Sequence, residues 1–91
     1  MRLTVRQKHV DEAVRLYSTE RDWTQCCPIA LALRDRFGPM GWRVYPSDRG
    51  VLSRTRHIFN LSDEAAAEAH RFDLDESFTP GEYELQEVTH E

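Results

Sequence analysis

The sequence predicts a single α+β domain over residues 1–91, with helices packed on a small mixed or antiparallel sheet. Three observations predict it. Short stretches of period-two apolar alternation and stretches of helical periodicity follow one another in the order β-α-α-β-β-α-β. One stretch, opening on Pro28 and stopped at Gly38, has signals at both ends, and its Ile29, Ala30, Leu31, Ala32 and Leu33 are apolar on nearly every side, so it reads as a buried central helix. No repeat, low-complexity tract or Pro/Gly/Ser-rich linker divides the chain, and its length suits one modest core.

Arg2 to Arg6 alternates, with Leu3 and Val5 on one side, and reads as a short strand. Gln7 to Tyr17 reads as a helix whose stripe is Val10, Ala13, Val14 and Tyr17. Its N-cap is poor, because Arg6 stands where Ser, Thr or Asp is expected. Ser18 to Gln25 is a polar loop. The central helix then opens on Pro28, whose missing N–H costs nothing at the first helical position. Gly38 supplies a left-handed stop, and Pro39 prevents continuation.

Trp42 to Tyr45 has good strand formers. Pro46 to Gly50 is a turn in which Gly50 can take a positive φ, and Val51 to Phe59 is the returning strand of a hairpin. Ser62 is the expected N-cap of a third helix, with Asp63 and Glu64 in the dipole-complementing first turn. That helix presents a small-residue face of Ala65, Ala66, Ala69 and Phe72. Leu74 to Gly81 is a loop, and Tyr83 to Val88 a last strand.

Composition excludes some function classes. No apolar run approaches the ~20 residues that span a bilayer, so no membrane partner is expected. Met1 to Arg6 has no apolar signal-peptide core, so the expected location is cytoplasmic, in the cytosol of a host cell. The net charge of −4 hides an asymmetry: residues 1–62 carry a surplus of five positive charges and residues 63–91 a surplus of nine negative ones. Two faces of opposite sign, or head-to-tail self-association, would follow. The plainer reading is mutual neutralisation within one fold. Of the twelve basic residues only Lys8 is not Arg, and Arg suits bidentate phosphate or carboxylate contacts. An Ala-rich helix and an exposed edge strand leave surface for a homodimer or other homo-oligomer.

Cys27 is the sharpest single candidate for chemistry. At the N-cap before Pro28 its thiol would face free backbone N–H groups and the positive dipole end, which lowers a thiol pKa. His9 could then serve as its base. Against this, no third orienting residue and no oxyanion-hole signature is evident, and free Cys is among the most buried residue types. Adjacent Cys26 and Cys27 imply no disulfide framework. With His9, His57, His70 or His90 they lack the usual zinc spacings, so neither a metal site nor another cofactor is expected.

The hairpin carries Trp42, Arg43, Tyr45, Arg49, Arg54, Arg56 and His57. Arg43 and Tyr45 share one face of their strand, and Arg54 and Arg56 one face of theirs. Basic groups interleaved with aromatics suit phosphate contact plus base stacking. The plainer reading is a solvated outer face with Arg stems covering the rings. Thr24, in the polar loop before the central helix, is a further ligand-binding candidate, because a helix N-terminus accepts anions.

The pair His9-Val10 and the run Cys27-Pro-Ile-Ala-Leu-Ala-Leu33, with Arg71-Phe-Asp73 and Tyr83-Glu-Leu85, resemble a group of small uncharacterised proteins from actinobacterial phages and their hosts. The group usually has another Cys a few residues before its Cys-Pro, whereas here Cys26 is adjacent. The resemblance implies a phage or prophage accessory gene and brings no activity with it.

The expected function is that of a non-enzymatic, phage-type accessory binding protein. It would sequester a small nucleotide-like anionic ligand or block a host protein, roles that suit anti-defence. One alternative is a nucleic-acid-binding regulator using Arg43, Arg49, Arg54 and Arg56. The other is a cysteine-dependent enzyme with Cys27 as nucleophile.

Overall fold

A computed structural model describes residues 1–19, 23–54 and 56–88. The elements are β1 (Arg2–Val5), α1 (Gln7–Tyr17), a 3₁₀ turn (Trp23–Gln25), α2 (Pro28–Phe37), β2 (Trp42–Tyr45), β3 (Gly50–Ser53), β4 (Arg56–Leu61), α3 (Asp63–Asp75) and β5 (Gly81–Glu87). The fold class is the α+β one the patterning predicts. The order β-α-α-β-β-β-α-β contains one strand more than expected.

The extra strand arises because the stretch expected as a single strand from Val51 to Phe59 turns back on itself. Ser53 pairs directly with Arg56, so only two residues connect β3 to β4. Arg54 adopts φ 57°, a left-handed conformation that strand residues do not take. Its N–H donates to the Gly41 carbonyl at 3.3 Å, which anchors the turn. Nothing in Arg-Thr resembles the Asn-Gly or Asp-Gly pairs that announce such a turn. The turn before β3 also differs from expectation, because the positive φ falls on Arg49 (57°) rather than on Gly50.

All five strands are antiparallel, in the order β1-β5-β4-β3-β2. The edge strands β1 and β2 therefore lie at opposite margins, yet α2 packs against both. The sheet must curl around α2 to allow this. The sequence explains why α2 can sit there: Pro28 to Leu33 are all buried, so six consecutive residues face core whichever way they point. Only the last turn reaches solvent. Gly38 ends the helix with φ 96°, and its N–H closes onto Arg34 O at 2.8 Å.

The core faces of the strands are Leu3 and Val5, Trp42 and Val44, Val51, Phe59 and Leu61, and Tyr83 and Leu85. α3 contributes the predicted face of Ala65, Ala66, Ala69 and Phe72. Its N-cap is Ser62, whose hydroxyl accepts the Ala65 N–H at 3.2 Å. Phe72 meets Tyr17 edge-on, with ring centroids 5.6 Å apart. The stripe of α1 is rotated from the expected one. His9, Val10 and Ala13 are buried, while Val14 is exposed. Turning α1 this way brings the His9 ring under the helix start, where it has work to do.

Candidate functional site

The two residues that could have made a catalytic pair are far apart. Cys27 does occupy the N-cap of α2. Its surroundings reverse the expected effect on the thiol, because burial pushes it up to about 12, against the downward pull of the Ile29 and Ala30 N–H groups. The helix terminus is too weak to outweigh the loss of water around a thiolate. Asp73 and Cys26 add to the rise. His9 lies towards the other end of α2, beside Asp35, which at 1.5 Å per residue is about 12 Å along the helix from Cys27.

Both nitrogens of His9 are engaged. Nδ1 accepts the Arg6 backbone N–H at 2.9 Å, and Nε2 lies 3.1 Å from Asp35 Oδ2. A ring that accepts at Nδ1 and meets a carboxylate at Nε2 is the Nε2–H tautomer. His9 is at the third helical position, so it does for Arg6 what a Glu or Gln does in an ordinary capping box. That is how α1 begins without a conventional N-cap side chain. Among the described residues, no three His, Cys, Asp or Glu side chains converge as metal ligands; His90 lies outside them.

The eight candidates for ligand binding are dispersed by the fold. Trp42 faces the core and its indole N–H donates to Gly38 O at 3.1 Å. Arg49 is ion-paired with Asp63, joining the β2–β3 loop to the start of α3. Arg54 lies past the opposite end of β3, five residues and roughly 16 Å of strand away. Arg54 and Arg56 do not share a strand face, since the turn separates them. Thr24 is half-buried in the 3₁₀ turn. Arg43, Tyr45 and His57 stay together on the solvent side of the sheet.

Two arginines absent from the expected set stand on the element joined to the Arg54 turn. The last turn of α2 carries Arg34 and Arg36, both exposed. The 38–41 connection joins this turn to the β3–β4 turn: Ser53 Oγ donates to Met40 O at 3.0 Å, and Arg54 lies against Gly41. Gly41 takes φ 69°, a left-handed conformation that favours glycine, and its Cα packs beside the Arg54 backbone. Arg34 and Pro39 border a small cavity of about 160 Å³ with Gly41 and Trp42. The last turn of α2 thus carries Arg34 and Arg36, the turn tied to it carries Arg54, and Arg56 opens β4; among the described residues none of the four is in an ion pair.

Apolar surface sits beside these arginines. Phe37 and Met40 are each 42% exposed, unusual for side chains of their size. Phe37 is held in place by Trp42 and Phe59, with centroids 5.9 and 6.4 Å away. The Arg36 guanidinium lies 5.3 Å from the centre of the Phe37 ring while donating to Arg2 O at 2.7 Å. That carbonyl is neutral, so the positive charge remains available. The signal was present in the sequence as Arg34-Asp-Arg-Phe37, but there it reads as an ordinary basic helix end complementing the dipole.

The solvent side of the sheet forms two cross-strand rows. Arg43, Leu52 and His57 are mutual partners across β2, β3 and β4, and so are Tyr45, Gly50 and Asn60. His57 Nε2 lies 2.9 Å from both Phe59 O and Asn60 Oδ1, bridging the irregular register beside Ile58. Gly50 is buried without a side chain of its own, because neighbours lie over it; Leu52 Cδ1 and His57 Nε2 are each 3.7 Å from its Cβ position. No helix among the described residues covers this face, and none is long and apolar enough to cross a membrane.

No family model, curated protein or solved structure matches this chain.

Proposed function

We propose that the protein is a non-enzymatic binding protein that captures a nucleotide-like anionic partner through Arg34, Arg36, Arg54 and Arg56. The observation that carries this reading is that the last turn of α2, with Arg34, Arg36 and the exposed Phe37, is tied through the 38–41 connection, with the exposed Met40, to the turn that carries Arg54. Among the described residues none of these arginines is in an ion pair, so their charge is open to an anion. Guanidinium groups suit phosphate through paired N–H donors, and an exposed ring suits a base. Catalysis by Cys27 is disfavoured on separate ground, since its thiol is buried and His9 is committed to a cap. The Cys27 to Leu33 resemblance adds the setting of a phage-type accessory protein, one that would withhold such a ligand from its host or block a host component.

Native mass spectrometry of freshly purified protein tests this directly. The expected result is an added mass of a few hundred daltons that is lost on denaturation, or a rise in melting temperature when nucleotides or cyclic dinucleotides are added. The same spectrum reads the oligomeric state, where a homodimer is expected. An unliganded mass together with an unmoved melting temperature across nucleotides and oligonucleotides overturns the reading.

A further inference from the structure

We infer that the partner is single-stranded nucleic acid, running from these arginines onto the uncovered face of the sheet; this rests on the anion-binding reading above. The rings decide between a strand and a duplex. Phe37 is exposed beside the Arg36 guanidinium, and Tyr45 is half-buried on the open face, paired with Gly50, which in turn pairs with Asn60. A flat ring binds a base by stacking, and only unstacked bases offer their faces. A duplex presents phosphates alone, and would gain nothing from these rings.

The spacing decides between a strand and a mononucleotide. Arg54 and Tyr45 are separated by the length of β3, since Tyr45 pairs with Gly50 at one end and Arg54 follows Ser53 at the other. Four residues of strand cover roughly 13 Å. One nucleotide cannot occupy both places, whereas consecutive nucleotides can. The row of Arg43, Leu52 and His57 lies between them and makes the surface continuous. β5 turns Glu82 and Glu84 to the same face, where Arg2 pairs with both, so the route for a polyanion is the β2–β4 part of that face.

The test is fluorescence anisotropy with labelled single-stranded DNA and RNA of about twelve nucleotides, within the usual site sizes. Competitors are the same sequence as duplex and a mononucleotide. Binding to single strands at low salt is expected, with log K falling against log salt at a slope of about −3 for four phosphate contacts. Tyr45→Ala is expected to weaken binding about five- to a hundred-fold through lost stacking. Arg54→Ala with Arg56→Ala is expected to weaken it and flatten the salt slope, with melting curves confirming that each variant folds. The DNA and RNA arms report whether a 2′-hydroxyl matters. Equal competition by the mononucleotide, or equal binding of duplex with Tyr45→Ala unaffected, overturns this inference and leaves the anion-binding reading standing. No binding of any nucleotide species at low salt overturns both.

Discussion

His9 holds the start of α1 by accepting the Arg6 backbone N–H at Nδ1, 2.9 Å away, while its other nitrogen faces Asp35 of α2 at 3.1 Å. One imidazole therefore caps a helix and ties it to its neighbour. Protonating Nδ1 would abolish the first of these contacts, since a cationic ring has no acceptor.

Replacing His9 by Ala is expected to remove the cap and leave the Arg6 N–H without its acceptor. A loss of about 1–2 kcal/mol is expected, the range for helix caps. Urea denaturation measures it. His9→Gln, which can accept the same N–H as capping-box residues do, is expected to recover part of the loss. If both variants lose equally, the cap is not what His9 contributes.

Two aspartates set opposite trends with pH. The hydrogen bond from Lys8 and then that from His9 hold the Asp35 carboxyl below its ordinary range. Its folded pKa lies under the unfolded one, so its contribution is present above the unfolded value and disappears as pH falls through the folded one. Burial, opposed by His70, holds Asp73 above the ordinary range. Its folded pKa lies over the unfolded one, so stability is lost as pH rises through that interval. Melting temperatures measured from acid to neutral pH check both signs. Asp35→Asn is expected to lower stability at neutral pH and less so in acid. Asp73→Asn is expected to raise it at neutral pH. Reversed signs would mean that the carboxylates sit in other surroundings than these.

Cys27, with its thiol pushed up to about 12 and almost no surface, is expected to react with iodoacetamide far more slowly than a free thiol at neutral pH. Cys26 is buried as well. Both are expected to alkylate readily in denaturant, and peptide mass mapping distinguishes them. Fast alkylation of Cys27 in the native protein would return the cysteine-enzyme reading to consideration.

Arg54 combines a left-handed backbone with a proposed binding charge. Arg54→Gly is expected to relieve the φ of 57° and to leave stability unchanged or raised by up to about 1 kcal/mol, offset in part by the freer unfolded chain. The same variant is expected to weaken oligonucleotide binding. Parallel losses of stability and binding would mean that the side chain supports the turn rather than the ligand.

The division between what the sequence determined and what tertiary structure decided follows from the range of the interactions. Pro28, Gly38 and Ser62 mark helix ends through contacts within four residues, so those ends were legible from the chain alone. The alternation of Leu3 with Val5 and of Tyr83 with Leu85 likewise marked which side of each strand would be buried. The all-round apolar character of Pro28 to Leu33 already required a helix enclosed by other elements. The turn at Arg54 was not legible, because its positive φ is supported by Gly41, a contact across the fold rather than a local preference. Nor was the rotation of α1, which depends on Asp35 being present beside His9. The candidate site shows the same split. Arg43 and Tyr45 share a sheet face by simple alternation, but His57 joins them only through the irregular register beside Ile58, Trp42 packs inward with Phe37 and Phe59, and Arg49 is neutralised by Asp63. The helix end that carries Arg34 and Arg36 meets the Arg54 turn only because the 38–41 connection is tied to the β3–β4 hairpin. Local geometry is written in a few neighbouring residues, whereas the meeting of distant charges depends on how the whole core packs.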